Sequence, residues 1–237
     1  FAEDQEGNLW FASTDGVYRC SMQGKLLKKY DVSNSGLTNN TVFYVYPDSI
    51  GRLWIGTYSG LFLMDIETGK IRSDCFSSPI QSTVKYIMED SKNNIWICSE
   101  NGLYKINQDL TINKHYTKGD ILPDNIVLSI LEDKQGNFWI TTLKEIVKFD
   151  STESIHYTYR RMDGLIGTDF NNNVYQLDSN IIWWANEGGL IYTSEDDTNV
   201  DVKSVKHPIV SSYLIDKMEY DPTFRNQSEA ITLYKDN

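Results

Sequence analysis

The sequence predicts an all-β chain: a partial β-propeller of about five four-stranded blades, the first incomplete, then the start of a β-sandwich. Three observations predict it. Trp10, Trp54, Trp96, Trp139 and Trp183 recur every 42 to 44 residues, the period of a four-stranded blade rather than of a helical or leucine-rich repeat. Six residues before four of those tryptophans stand Asp4, Asp48, Asp90 and Asp133, with Gly7, Gly51, Asn93 and Gly136 three residues later. Asp followed by Gly or Asn at that distance marks a tight turn, because the last two tolerate positive φ. Each tryptophan also sits in an apolar triplet, such as Leu53-Trp54-Ile55 or Ile95-Trp96-Ile97, which reads as a strand covered on both faces.

In chain order, Leu9-Trp10-Phe11 is the second strand of the first blade, Val17 to Cys20 its third and Leu26 to Tyr30 its outer one. The inner strands of the following blades are Val42 to Tyr46, Val84 to Met88 and Val127 to Leu131, with Val45, Ile87 and Ile130 equivalent core positions. Gly16, Gly60, Gly102 and Gly189 lie six residues after a tryptophan and close the next turn; Glu145 breaks the pattern, so the fourth blade's turn is expected to differ. The fifth turn, Asp178-Ser179-Asn180, is one residue shorter. Trp184 continues an apolar strand and reads as core.

The connections between blades, 34–40, 119–125 and 163–171, are polar and resemble one another. Strand direction alternates, so they emerge at the same end as the turn after each tryptophan strand. That loop end carries the candidate ligand-binding residues Tyr58, Asn39, Asn40, Asn101, Asp124, Asn125, Asp169, Asn171 and Glu187. A flat exposed ring beside amide and carboxylate side chains suits stacking on sugar rings with hydrogen bonds to hydroxyls.

A net charge of -11, with 33 acidic against 22 basic residues and no basic run, argues against nucleic acid and anionic membranes as partners. No stretch of about 18 apolar residues is present. His115, His156 and His207 stand in unrelated positions, and no nucleophile elbow, zinc-protease motif or phosphate loop occurs, so neither catalytic residues nor a cofactor are expected. Cys20, Cys75 and Cys98 lack metal-ligand spacing, and Cys98 takes the small-residue position of Gly56. Asp197, Asn199 and Asp201 have the first spacings of a calcium loop, but Val202 stands where its glycine belongs and Pro208 where its closing glutamate belongs. The stretch reads as a linker, and no metal site is expected. The repeat ends near residue 205, and 206–237 reads as a truncated β domain.

With its acidic turn followed by Gly51-Arg52-Leu53-Trp54-Ile55-Gly56-Thr57 through Gly60-Leu61, the repeat closely resembles the two-component regulator propeller repeat. The resemblance implies the periplasmic sensor region of an inner-membrane hybrid two-component histidine kinase, of Bacteroides type. The tail from His207 is similar to the opening of the immunoglobulin-like domain that follows such propellers. Implied partners are an oligosaccharide or other glycan-derived ligand, a neighbouring propeller of the same protein and a second subunit in a full-length homodimer, with kinase activity carried outside this segment. A propeller enzyme (lyase or glycosidase) and a protein-interaction scaffold are the alternatives.

Overall fold

The computed structural model describes residues 1–150, 152–160, 170–176, 181–186, 189–194, 203–205, 213–215 and 218–220. All its regular elements are strands. Blade 1 comprises β1 (Ala2–Glu3), β2 (Leu9–Ser13), β3 (Gly16–Cys20) and β4 (Leu26–Tyr30). Blade 2 comprises β5 (Val42–Pro47), β6 (Arg52–Thr57), β7 (Gly60–Asp65) and β8 (Ile71–Arg72). Blade 3 comprises β9 (Val84–Glu89), β10 (Ile95–Ser99), β11 (Gly102–Ile106) and β12 (Ile112–Tyr116), and blade 4 β13 (Val127–Glu132), β14 (Phe138–Thr142), β15 (Ile146–Phe149) and β16 (Ile155–Tyr159). Blade 5 comprises β17 (Phe170–Gln176), β18 (Ile181–Asn186), β19 (Gly189–Ser194) and β20 (Lys203–Val205). In each, the strands pair antiparallel in sequence order. A separate hairpin joins β21 (Tyr213–Ile215) to β22 (Met218–Tyr220). The calcium-like stretch and most of the tail from 206 lie outside the described residues.

The core is a series of seams between consecutive blades. Trp10 packs with Val42, Val45, Leu53 and Ile55 of blade 2, and Trp54 with Val84, Ile87, Ile95 and Ile97 of blade 3. Trp96 packs with Val127, Ile130 and Ile140 of blade 4, and Trp139 with Val174, Ile182 and Trp184 of blade 5. Period-2 alternation explains the division of labour: the tryptophan faces the following blade, and the residues immediately before and after it face the preceding one. Trp184 takes the position of Ile55 and meets Trp139 with ring centroids 5.5 Å apart.

The expectation that all five marker indoles wedge between sheets is corrected at the last copy. Trp183 holds the tryptophan register, opposite Tyr192, but is only half-buried and meets the tilted Tyr192 ring at 4.8 Å. The physical reason is that an indole facing forward needs a following sheet, and no sixth four-stranded sheet is among the described residues.

The turn aspartates have a second role that turn chemistry alone does not suggest. Each is buried. One carboxylate oxygen of Asp48 accepts the amides of Ile50 and Arg52 at 3.2 and 2.8 Å, and the other accepts the Trp54 indole N–H at 2.8 Å. Asp4, Asp90 and Asp133 bond Trp10, Trp96 and Trp139 at 2.7, 2.9 and 2.9 Å. The buried indole donor is thereby satisfied and its ring orientation fixed. A cation covers each ring: Arg19 over Trp10, Lys105 over Trp96 and Lys148 over Trp139, all directly opposite the tryptophan on the third strand. In blade 2 that position is Leu63, and Arg52 from the turn covers Trp54 instead, at 5.2 Å.

The repeat glycines are explained by close approach. At Gly16, Gly60 and Gly102, all with positive φ, a Cβ would lie 2.2–2.3 Å from the carbonyl oxygen of Tyr30, Ile80 or Tyr116. In blade 4, where Glu145 replaces the glycine, β15 begins one residue later and the Thr142 hydroxyl accepts the amide three residues on, that of Glu145, where Ser13, Thr57 and Ser99 accept the amide two residues on, so the turn differs as the exception in the sequence predicts.

In blades 3 and 4 the turn before the outer strand aims one residue with positive φ at the blade behind it. Leu110 (φ 69) packs on the blade 2–3 core, whereas Glu153 (φ 64) reaches Lys105, Lys114 and Tyr116 of blade 3. Burial opposes ionisation of Glu153, but the three donors outweigh it and hold its pKa down at about 2.

Candidate functional site

The site is built where the innermost strands begin, at the loop end. The inner strands of blades 2, 3 and 4 carry a β-bulge there: pairing passes from Val42 to Tyr44, from Val84 to Tyr86 and from Val127 to Ser129, leaving Phe43, Lys85 and Leu128 out of the ladder. In blade 5 the irregularity is wider, from Phe170 to Val174, and contains Asn171. A bulge turns its extra residue away from the sheet's alternation and re-aims the side chain.

The re-aimed residues of blades 2 and 3 converge. Lys85 Nζ lies 4.8 Å from the centroid of the Phe43 ring and 2.8 Å from Glu100 Oε1. Glu100 comes from the β10–β11 turn, and the Lys85 contact draws its pKa down. Thr83 joins this group to the neighbouring turn: its hydroxyl donates to the Tyr58 carbonyl at 3.3 Å, and its own carbonyl accepts the Glu100 amide at 3.0 Å. Phe43, 39% exposed, lies against a fixed cation–anion pair, and Tyr58, 61% exposed, stands on the turn that Thr83 ties to it. Such a surface can stack on a ring and hydrogen-bond to hydroxyls. It holds no nucleophile–base pair, and among the described residues no three His, Cys, Asp or Glu side chains are grouped to hold a metal.

Of the residues named from sequence, Tyr58 stands in this cluster. Asn101 is one residue from Glu100, and its side-chain amide donates to the Tyr104 hydroxyl at 3.2 Å. Asn39 and Asp124 accept the amides of Thr41 and Ile126, while Asn40 and Asn125 accept those of Val32 and Lys118. The side-chain oxygens of these four hold their own loops in shape. Asn171 lies in the blade 5 bulge; its side chain, and Asp169 and Glu187 entirely, fall outside the described residues. Sequence reasoning missed Phe43 and Lys85, because a bulge is a pairing event that leaves no periodic signal, and with them Glu100, whose partner is the re-aimed Lys85. It also missed a legible one: Ser13, Thr57, Ser99 and Thr142, each three residues after a tryptophan, donate their hydroxyls to the carbonyl three residues on.

Consecutive four-stranded antiparallel blades with a ladder of inter-blade indoles define a β-propeller architecture, here a partial one. Comparison with known proteins makes this more specific: residues 36–59 and 121–144 match the two-component regulator propeller family, so the chain carries repeats of that family. The extracellular domain of a hybrid two-component system from B. thetaiotaomicron superposes with a TM-score of 0.75 at 25% identity, covering 88% of this chain and 28% of that one. A second such domain from B. thetaiotaomicron gives 0.69 at 19% identity, covering 91% and 32%. This chain therefore spans about a third or less of those domains. Virginiamycin B lyase from Staphylococcus aureus gives 0.68 at 15% identity over 87% of this chain and 69% of its own, a likeness of fold alone. No curated protein sequence matches this chain.

Proposed function

We propose that this chain is part of the extracytoplasmic ligand-sensing region of a hybrid two-component sensor, and that its loop end recognises a glycan-derived signal. The observation that carries the sensor reading is the similarity to a sensor's extracellular domain over 88% of this chain. The glycan reading is supported by Phe43 against the Lys85–Glu100 pair and by the exposed Tyr58 on the turn tied to it. On this reading the segment is not itself catalytic and works by binding. Loop-end contacts shift the relation between this propeller and its neighbour, and the downstream β domain passes that shift across the membrane to a kinase. A homodimer in the full-length protein belongs to the same proposal.

The test is calorimetric titration of the purified chain with a panel of neutral and acidic oligosaccharides. Phe43→Ala and Tyr58→Ala are each expected to weaken binding of a responsive sugar by about tenfold, the order of one lost stacking contact. Unchanged affinity in both variants removes the site. Cleavage of a sugar during the titration would favour the alternative of a propeller enzyme, which the shared fold with a lyase keeps in view.

A further inference from the structure

The opposite end of the molecule, where the Asp-Gly turns lie, carries an exception that creates a second site. Between blades 2 and 3, the Ser49 amide and hydroxyl both donate to the Glu89 carboxylate, at 2.9 and 2.6 Å. Between blades 3 and 4, Ser91 makes the same clasp on Glu132, both bonds at 2.6 Å. The serine follows the turn aspartate of one blade, and the glutamate precedes that of the next. Between blades 1 and 2 those positions hold Gln5 and Pro47. Proline has no carboxylate to offer, and the link that remains is Gln5 Nε2 donating to the Ser49 carbonyl at 2.9 Å. A cleft of about 250 Å³ opens there.

The chemistry of its walls is two-sided. Pro47, Ile50 and Ile66 line it, and Ile50 is 58% exposed. The exposed acids Glu6, Asp65 and Glu67 stand around them. Arg19 pairs with Glu6 at 2.9 Å and Arg52 with Asp48 at 2.6 Å, so the surplus at the rim stays negative, as does the chain at -11.

We propose that this cleft docks a basic protein segment in which an apolar residue stands between lysines or arginines. The apolar side chain rests on Ile50, Ile66 and Pro47, and the flanking cations meet the acidic rim. Charge complementarity selects this occupant over an acidic peptide, which would bring like charges together in a partly desolvated cleft. The surface is at the far end from the glycan reading and does not depend on it.

The probe is a fluorescein-labelled peptide of alternating leucine and lysine, followed by anisotropy at low and moderate salt. Saturable binding is expected, with Glu67→Lys and Ile50→Ser each weakening it by about fivefold. Asp74→Lys, an exposed acid of blade 2 outside the cleft, is expected to leave it unchanged. All three side chains are exposed, so the variants should fold. Absence of saturable binding overturns the proposal. So does an Asp74→Lys loss equal to that of Glu67→Lys, which would mean general attraction to an acidic protein, or an Ile50→Ser variant that binds as well as the parent.

Discussion

Between blades 3 and 4, Ser91 clasps Glu132 at the turn end while Glu153 reaches back to Lys105, Lys114 and Tyr116 at the outer rim. Between blades 1 and 2, the same three roles fall to Gln5, Pro47 and Gly69, and Gly69 merely approaches the Tyr30 hydroxyl, where an added Cβ would lie 3.2 Å away. The indole core of the two seams is nevertheless the same: Trp10 and Trp96 are both fully buried, bonded to an aspartate and covered by a cation. Apolar packing therefore holds every seam, and polar clasps at the two ends decide which are fastened further and which leave a cleft.

The largest expected effect tests the shared core. Trp96→Ala removes the central side chain of its seam and leaves Asp90 without its indole donor. A loss of about 3–5 kcal/mol in urea unfolding is expected, and a loss below about 1 kcal/mol would mean the ladder is not what binds the blades.

The next tests the fastening that Glu153 supplies at the blade 3–4 seam. Glu153→Gln leaves the largely buried Lys105 ammonium facing a neutral group, with an expected cost of about 1–3 kcal/mol at neutral pH. The Glu153 pKa is lowered in the fold from 4.5 to about 2. Its contribution is complete above about pH 4.5 and lost as pH falls toward 2. The stability gap between parent and variant should therefore narrow from pH 5 to pH 3, and a gap independent of pH would refute an electrostatic role.

The smallest effect is a graft. Gln5→Ser with Pro47→Glu copies the Ser91–Glu132 clasp onto the open seam. A gain of about 0.5–1 kcal/mol is expected, together with weaker binding of the leucine–lysine peptide as the cleft closes. Unchanged stability with unchanged peptide binding would mean that the cleft does not owe its opening to Pro47.

Much of the fold was legible because its causes repeat. The 42 to 44 residue spacing, the Asp-to-Gly turn and the apolar triplet are local requirements, each met afresh in every blade. The glycine exception at Glu145 was legible for the same reason, since a missing glycine in a position of close approach forces a different turn. The candidate site was legible only in part. Tyr58 stood out as an aromatic residue in an exposed turn. Phe43 and Lys85 looked like ordinary members of strands Val42 to Tyr46 and Val84 to Met88, because the slip in register that ejects them depends on the partner strand. Asn39, Asn40, Asp124 and Asn125 were placed at the right end, but their hydrogen bonds to loop amides are written in the loop's closed path rather than in its composition.

The sequence by itself determined the repeat, the strand order within each blade and the residues that turn the chain, because these depend on neighbours within about forty residues. Only the tertiary structure decided that Trp183 stays half-buried and that Glu153 binds the blade behind it. Those outcomes depend on what the adjacent sheet presents across a seam, and a side chain 37 to 48 residues away along the chain, as Tyr116 and Lys105 are from Glu153, becomes a neighbour only once the sheets have stacked.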